Sequence, residues 1–210
     1  MFPWSMASTR CSRIERGAAG GDDGVMRETY VSIDIEADGP IPGPHSMLSL
    51  GAVAFDREGT ELDAFSVNLQ ALEGAAGHPD TMAWWQTQPV AWAACREHPE
   101  SPSTALPRFS AWLQALPGRA VCVGYPVAFD FMFVHWYLHR FTGGSPFSHS
   151  ALDMKTLAWT LLGGHYRDAT KRHMPRAWFP ENVTHSHVAV EDAREQGLLF
   201  FGMWRALRGG

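Results

Sequence analysis

Two carboxylates interrupt the first strongly apolar segment of the chain. Tyr30-Val31-Ser32-Ile33-Asp34-Ile35 is rich in β-branched and aromatic residues, and Asp34 and Glu36, with one residue between them, stand at its end. Such a run reads as a strand, and in a strand residues i and i+2 project from the same face. Both acids therefore converge at a point where a buried strand meets the surface. Negative charge is costly there unless a cation compensates it, and a bound metal is one solution. The commoner fate of an isolated D-x-E pair is plain solvation at a strand end.

Composition limits what can surround this pair. The chain has 210 residues and a formal net charge of -5, with 45% hydrophobic and 19% charged residues. That fits one globular domain with a core and excludes a wholly disordered chain. An acidic chain is not held to nucleic acid by bulk charge, because counterion release needs Lys and Arg set against phosphates. Cys11, Cys95 and Cys122 are far apart and form no C-x-x-C pair, so a reducing, cytoplasmic setting is expected rather than a disulfide framework. Asn182-Val183-Thr184 is a sequon that matters only in a secreted protein, and the N-terminus lacks a signal-peptide core. The most apolar run, Val127 to Leu138, contains Asp130 and His135, so no membrane span is expected.

Along the chain, residues 1 to 28 show no sustained period and read as a disordered extension. Tyr30–Ile35, Met47–Phe55 and Leu62–Leu69 read as three strands of an antiparallel meander. A Trp-rich helical stretch from Thr81 to Glu97 is broken at Pro89, and a helix follows around Leu106 to Leu116. Ala120–Tyr125 reads as a buried strand, with helices after it over Phe129–Arg140, Asp153–Leu162 and Val188–Leu207. Strands first in series and then alternating with helices indicate a mixed α/β sheet flanked by helices.

Two later sites join the first acidic pair. Asp130 lies just after the buried strand, at the start of an otherwise apolar helix, where the helix dipole favours an acid. His187 precedes the last helix and Asp192 follows five residues later, among Val188, Ala189, Val190 and Ala193. Taken singly, Asp130 reads equally well as a first-turn acid and His187 as a loop histidine.

The ordered set is far more specific: D-x-E on the first strand, an Asp after a mid-chain strand, then H-x4-D opening the last helix. This pattern resembles the DEDDh branch of the 3'-to-5' exonuclease superfamily over roughly Tyr30 to Leu207. Ser49-Leu50-Gly51-Ala52-Val53 resembles that family's second strand, and Leu152 to Ala158 resembles a segment between its later motifs. Pro79-Asp80-Thr81-Met82-Ala83-Trp84-Trp85 is similar to a phage and actinobacterial subgroup with exoribonuclease-like members. One position departs from the pattern: the family often has Asn four residues before the second-motif Asp, where this chain has Pro126, which offers no side-chain amide. A subgroup with Tyr in place of His is disfavoured, because Val188 stands where that Tyr would be.

The resemblance implies a ribonuclease H-like five-stranded mixed sheet, antiparallel first and then parallel, in an exonuclease domain over residues 29–207. It implies two Mg2+ or Mn2+ ions, hard cations suited to carboxylate oxygen. Asp34 would bridge them, Glu36 and Asp192 would help hold one, and Asp130 the other. His187 would be the general base, and single-stranded RNA or DNA would lose nucleoside 5'-monophosphates from its 3' end. For substrate contact the resemblance points to the loop after Glu36, with Met47 first and Leu48 second. The segment His165 to Arg176 sets Arg167, Lys171, Arg172 and Arg176 against Asp168, so Lys171 and Arg172 are expected to meet phosphates. Many relatives are homodimers, and that expectation carries over by analogy. Two other readings are a catalytically silent nucleic-acid-binding domain and a ribonuclease H-like endonuclease.

Overall fold

The computed structural model describes residues 27–181 and 188–209. The proposed extension, apart from its last two residues, and His187 lie outside the described residues. Five strands form one sheet in the order β3-β2-β1-β4-β5. They are β1 (Glu28–Ala37), β2 (Met47–Phe55), β3 (Glu61–Asn68), β4 (Arg119–Gly124) and β5 (Leu152–Asp153). The first three pair antiparallel, whereas β4 runs parallel to β1 and β5 parallel to β4. This is the mixed α/β sheet expected from the motif order.

Helices cover both faces. On one, α3 (Pro102–Ala115) and α4 (Val127–Thr142) pack on Val31, Ile33, Ile35, Leu50, Ala52 and Val67. On the other, α5 (Met154–Leu162) and α6 (Ala189–Gly209) pack on Tyr30, Val53 and Phe55 through Met154, Leu199, Phe200 and Phe201. All nine residues of β2 are buried, which explains a continuous apolar run in place of the alternation seen in half-exposed strands. In β1 the odd-numbered Val31, Ile33 and Ile35 face α3 and α4. Period-2 geometry then turns Ser32, Asp34 and Glu36 toward α6.

Several boundaries differ from the sequence expectation. The Trp-rich stretch forms two short helices, α1 (Pro79–Trp85) and α2 (Pro89–Ala94), each opening on a proline. Proline is tolerated in a first helical turn, where its missing N–H would have no partner. The helix expected around Leu106 begins four residues earlier, because Ser101 caps it by accepting from Thr104 N at 3.3 Å and Pro102 occupies the first turn. Asp153, expected inside a helix, instead ends β5 and caps α5. Its Oδ2 accepts from Thr156 N at 2.9 Å and its Oδ1 from Val127 N at 3.1 Å. One side chain thus fixes the starts of both α4 and α5.

Candidate active site

The site lies where β1 ends. Pairing of β1 with β2 shifts register between Glu36 and Ala37, an irregularity of the kind that re-aims side chains beside functional sites. Below the shift, Asp34 sits opposite Gly51. A Cβ on Gly51 would stand 2.2 Å from the backbone of Ala189 and Val190. Only a glycine therefore lets the first turn of α6 lie directly on β2. That approach brings Asp192, 3% exposed, to the β1 acids: one donor oxygen from each of Asp34, Glu36 and Asp192 lies within 4.8 Å of the others.

Asp130 approaches from α4. It is buried in the first turn, and its Oδ1 accepts from Ile35 N at 3.1 Å, which ties α4 to the strand between the two acids. The four carboxylates oppose one another electrostatically. Burial, followed by the charges of Asp130, Glu36 and Asp192, holds the Asp34 carboxyl well above the usual carboxylate range, and Lys171 partly relieves it. Burial, then Asp192 and Asp130, pushes Glu36 up to about 8. Burial pushes Asp130 up to about 7, against the lowering effect of the Ile35 N–H. An all-oxygen donor set this crowded suits a hard divalent cation, because its charge offsets the mutual repulsion of the acids. The residues present fit such a metal.

A residue not singled out from the sequence completes the arrangement. Gln196, 4% exposed, donates from Nε2 to Asp34 Oδ1 at 2.6 Å and accepts at Oε1 from Tyr125 N at 2.8 Å. It links β1, α6 and the turn ahead of α4. Its signal was its position four residues after Asp192, which puts both on one helix face. Pro126, the departure from the family pattern, occupies that same turn as the N-cap position of α4 and offers no side-chain cap.

The expected substrate contacts fall differently. Met47 and Leu48 are 0% and 1% exposed, so they belong to the core and not to a contact surface. Met47 opens β2, covered on both faces, with its N–H donating to the Tyr137 hydroxyl at 2.7 Å, and Leu48 packs with Trp85. Lys171 is beside the acids: Nζ lies 3.4 Å from Glu195 Oε1 and 5.9 Å from the centre of the Tyr125 ring. Arg172 is exposed on the same 3-10 turn, Lys171–His173. Of the adjacent tryptophans, Trp85 is core and donates to the Ala37 carbonyl at 2.9 Å, whereas Trp84 is exposed. Phe129, next to Asp130, is also exposed.

Comparison with known proteins agrees with this geometry. Residues 29–204 match the family described as the 3'-5' exoribonuclease Rv2179c-like domain. The chain is 30% identical over 178 residues to the Escherichia coli 3'-5' DNA exonuclease Cap18, covering 83% of this chain and 90% of that one. Among solved structures, a full-length 3'-exonuclease superposes with a TM-score of 0.63 at 11% identity, covering 88% and 84% of the two chains. E. coli exonuclease I in complex with a dT13 oligonucleotide superposes with a TM-score of 0.57 at 14% identity, covering 81% of this chain and 40% of that one. The chain thus spans about two fifths of exonuclease I, and at these identities both superpositions speak to the fold. From the match over residues 29–204, joined to the Cap18 likeness, the chain belongs to the Rv2179c-like 3'-5' exoribonuclease domain family and is a 3'-5' exonuclease.

Proposed function

We propose that the protein hydrolyses single-stranded nucleic acid from its 3' end with the help of two divalent cations, Mg2+ or Mn2+, releasing nucleoside 5'-monophosphates. The observation that carries this reading is the convergence of Asp34, Glu36 and Asp192 within 4.8 Å, with Asp130 hydrogen-bonded to the strand between the first two. Asp34, Glu36 and Asp192 would hold one cation, and Asp34 with Asp130 the other. When bound, the cations stabilise the charge that develops on the attacking and leaving oxygens of a phosphodiester.

The chain's own groups do the rest. Gln196 fixes the orientation of Asp34 through its 2.6 Å hydrogen bond. We assign His187, directly before Val188 and the α6 turn that carries Asp192, to take the proton from the attacking water. Imidazole suits that task because its ordinary pKa lies near the working pH. Lys171 offers positive charge next to the acids for the substrate's phosphates, and Arg172 extends it outward. The exposed rings of Trp84 and Phe129 supply faces on which bases can stack. The family's description names RNA and Cap18's names DNA, so both substrates enter the test.

Among the described residues Cys95 and Cys122 are buried free thiols, and the cytoplasmic setting stays a proposal resting on the wide spacing of the three cysteines. Among the described residues no helix is long and apolar enough to cross a membrane. The homodimer expected by analogy remains part of the proposal, and its test is molar mass in solution.

Asp34→Asn keeps size and shape while removing the charge shared by the whole cluster. It is expected to lower turnover by at least about a thousandfold, in line with the loss of a central electrostatic group, while the circular dichroism spectrum stays unchanged. Full activity in a folded Asp34→Asn protein would refute the assignment.

A further inference from the structure

The outer side of α4 carries a second group of potential metal ligands. His135 and His139 are four residues apart on this helix and therefore share a face. Their ring centres are 4.5 Å apart, and His149, from the segment between α4 and β5, places its ring 6.4 Å from His135. None of these histidines belongs to the acidic cluster of Asp34, Glu36 and Asp192.

Paired histidines one helical turn apart are a recurrent way of presenting two nitrogen donors to one ion. Two imidazoles bound to one tetrahedral zinc through Zn–N bonds of about 2.0–2.1 Å put their ring centres about 5 Å apart. The observed 4.5 and 6.4 Å bracket that separation. His135 Nδ1 is shielded from solvent and has no hydrogen-bond partner. Burial, helped by the neighbouring imidazoles of His139 and His149, holds the His135 ring below its ordinary pKa. Its neutral form is the one able to bind a metal.

We infer that His135 and His139 form a two-point chelate for a borderline-soft divalent cation of the Zn2+ class, completed by His149. Among the described residues, three donor atoms mutually within 4.8 Å occur only in the acidic cluster. His149 is exposed and therefore joins on binding by a side-chain rotation. An all-imidazole donor set favours Zn2+, Ni2+ or Cu2+ over the Mg2+ and Mn2+ suited to the carboxylates. Bound there, the ion would pin the chain after α4 to the helix. That segment leads into β5, whose Asp153 holds the start of α4 and so the position of Asp130.

The test is a Zn2+ titration of the full chain in excess Mg2+, followed by 1H–15N spectra of the imidazole rings. A histidine site moves three imidazole signals together at one equivalent, and these signals are identified by their loss in His135→Gln, His139→Gln and His149→Gln. The first two substitutions are expected to weaken Zn2+ binding at least tenfold and the third several-fold, with Mg2+-dependent hydrolysis unchanged in zinc-free buffer. Zn2+ that shifts none of these three signals, or that binds the folded His139→Gln protein with undiminished affinity, would overturn the inference. Because His139 is exposed, its substitution keeps the test available even if replacing His135 impairs folding.

Discussion

Gln196 shows how a neutral side chain can govern a charged site. Its amide donates to Asp34 and its carbonyl accepts from Tyr125 N, so one residue sets the Asp34 orientation and anchors the turn that leads into α4. A group behind a metal ligand commonly contributes a factor of 10 to 100 in metal affinity or activity. Gln196→Ala should therefore raise the Mg2+ concentration needed for half-maximal hydrolysis by about tenfold or more. It should also destabilise the fold by about 1–3 kcal/mol, because a buried N–H is left without its acceptor. An unaltered Mg2+ dependence would mean that Asp34 is oriented by the sheet without help. The acids were legible only as an ordered set, because each taken singly also reads as a solvated strand-end or first-turn carboxylate. Gln196 was not, since a glutamine on a helix acquires a role only when that helix docks. Met47 was misleading for a related reason: an apolar residue next to a functional loop has the same composition whether it lines the site or the core.

At the scale of elements, the site depends on how closely α6 can approach the sheet. Gly51 permits backbone contact at the level of Asp34, and a methyl group there would stand 2.2 Å from Ala189 and Val190. Neither neighbour is a flexible side-chain end, so relief requires moving the helix that carries Asp192. Gly51→Ala should cost about 1–3 kcal/mol or more, as overpacking does, and should reduce hydrolysis out of proportion to the loss of folded protein. Denaturant melts alongside rates per folded molecule check this, and a variant with normal rates would show that Asp192 does not need this contact. The strands β1, β2 and β4 were readable as short β-rich apolar runs, and the last helix from its period, because each buries a long apolar stripe. The two-residue strand β5 was hidden, since Leu152-Asp153 is too short to show a period and its Asp reads as a helix start. The true start of α3 was masked by Pro107 inside the helix, a residue that normally argues for a boundary.

For the whole molecule, the acid cluster couples stability to pH and metal. In the metal-free fold Glu36 is raised from 4.5 to about 8 and Asp130 from 3.8 to about 7. A raised carboxyl pKa means that the folded state binds protons more tightly than the unfolded chain. The resulting stability is fully present below about pH 4 and is lost as pH rises toward 8. This contribution should make the metal-free midpoint of thermal unfolding fall between pH 5 and pH 8, and Mg2+ or Mn2+ added at pH 8 should reverse the loss by binding the folded state. Melts in chelator and in added cation measure both effects, and a metal-insensitive midpoint would contradict the role given to the cluster. The net charge of -5 gains a meaning from this coupling. If four of the acids hold two divalent cations, as we propose, an acidic chain can engage a polyanion once it is loaded with metal.

Exonuclease action by this acidic cluster requires a free 3' end. The most direct measurement incubates 5'-labelled single-stranded RNA and DNA, each with a free or a blocked 3' terminus, in Mg2+ or Mn2+. The expected outcome is a ladder shortening one nucleotide at a time on the free strand, 5'-monophosphate products, and no cleavage of the blocked strand or in chelator. Internal cuts in the blocked strand, or hydrolysis that persists without divalent cation, would contradict it.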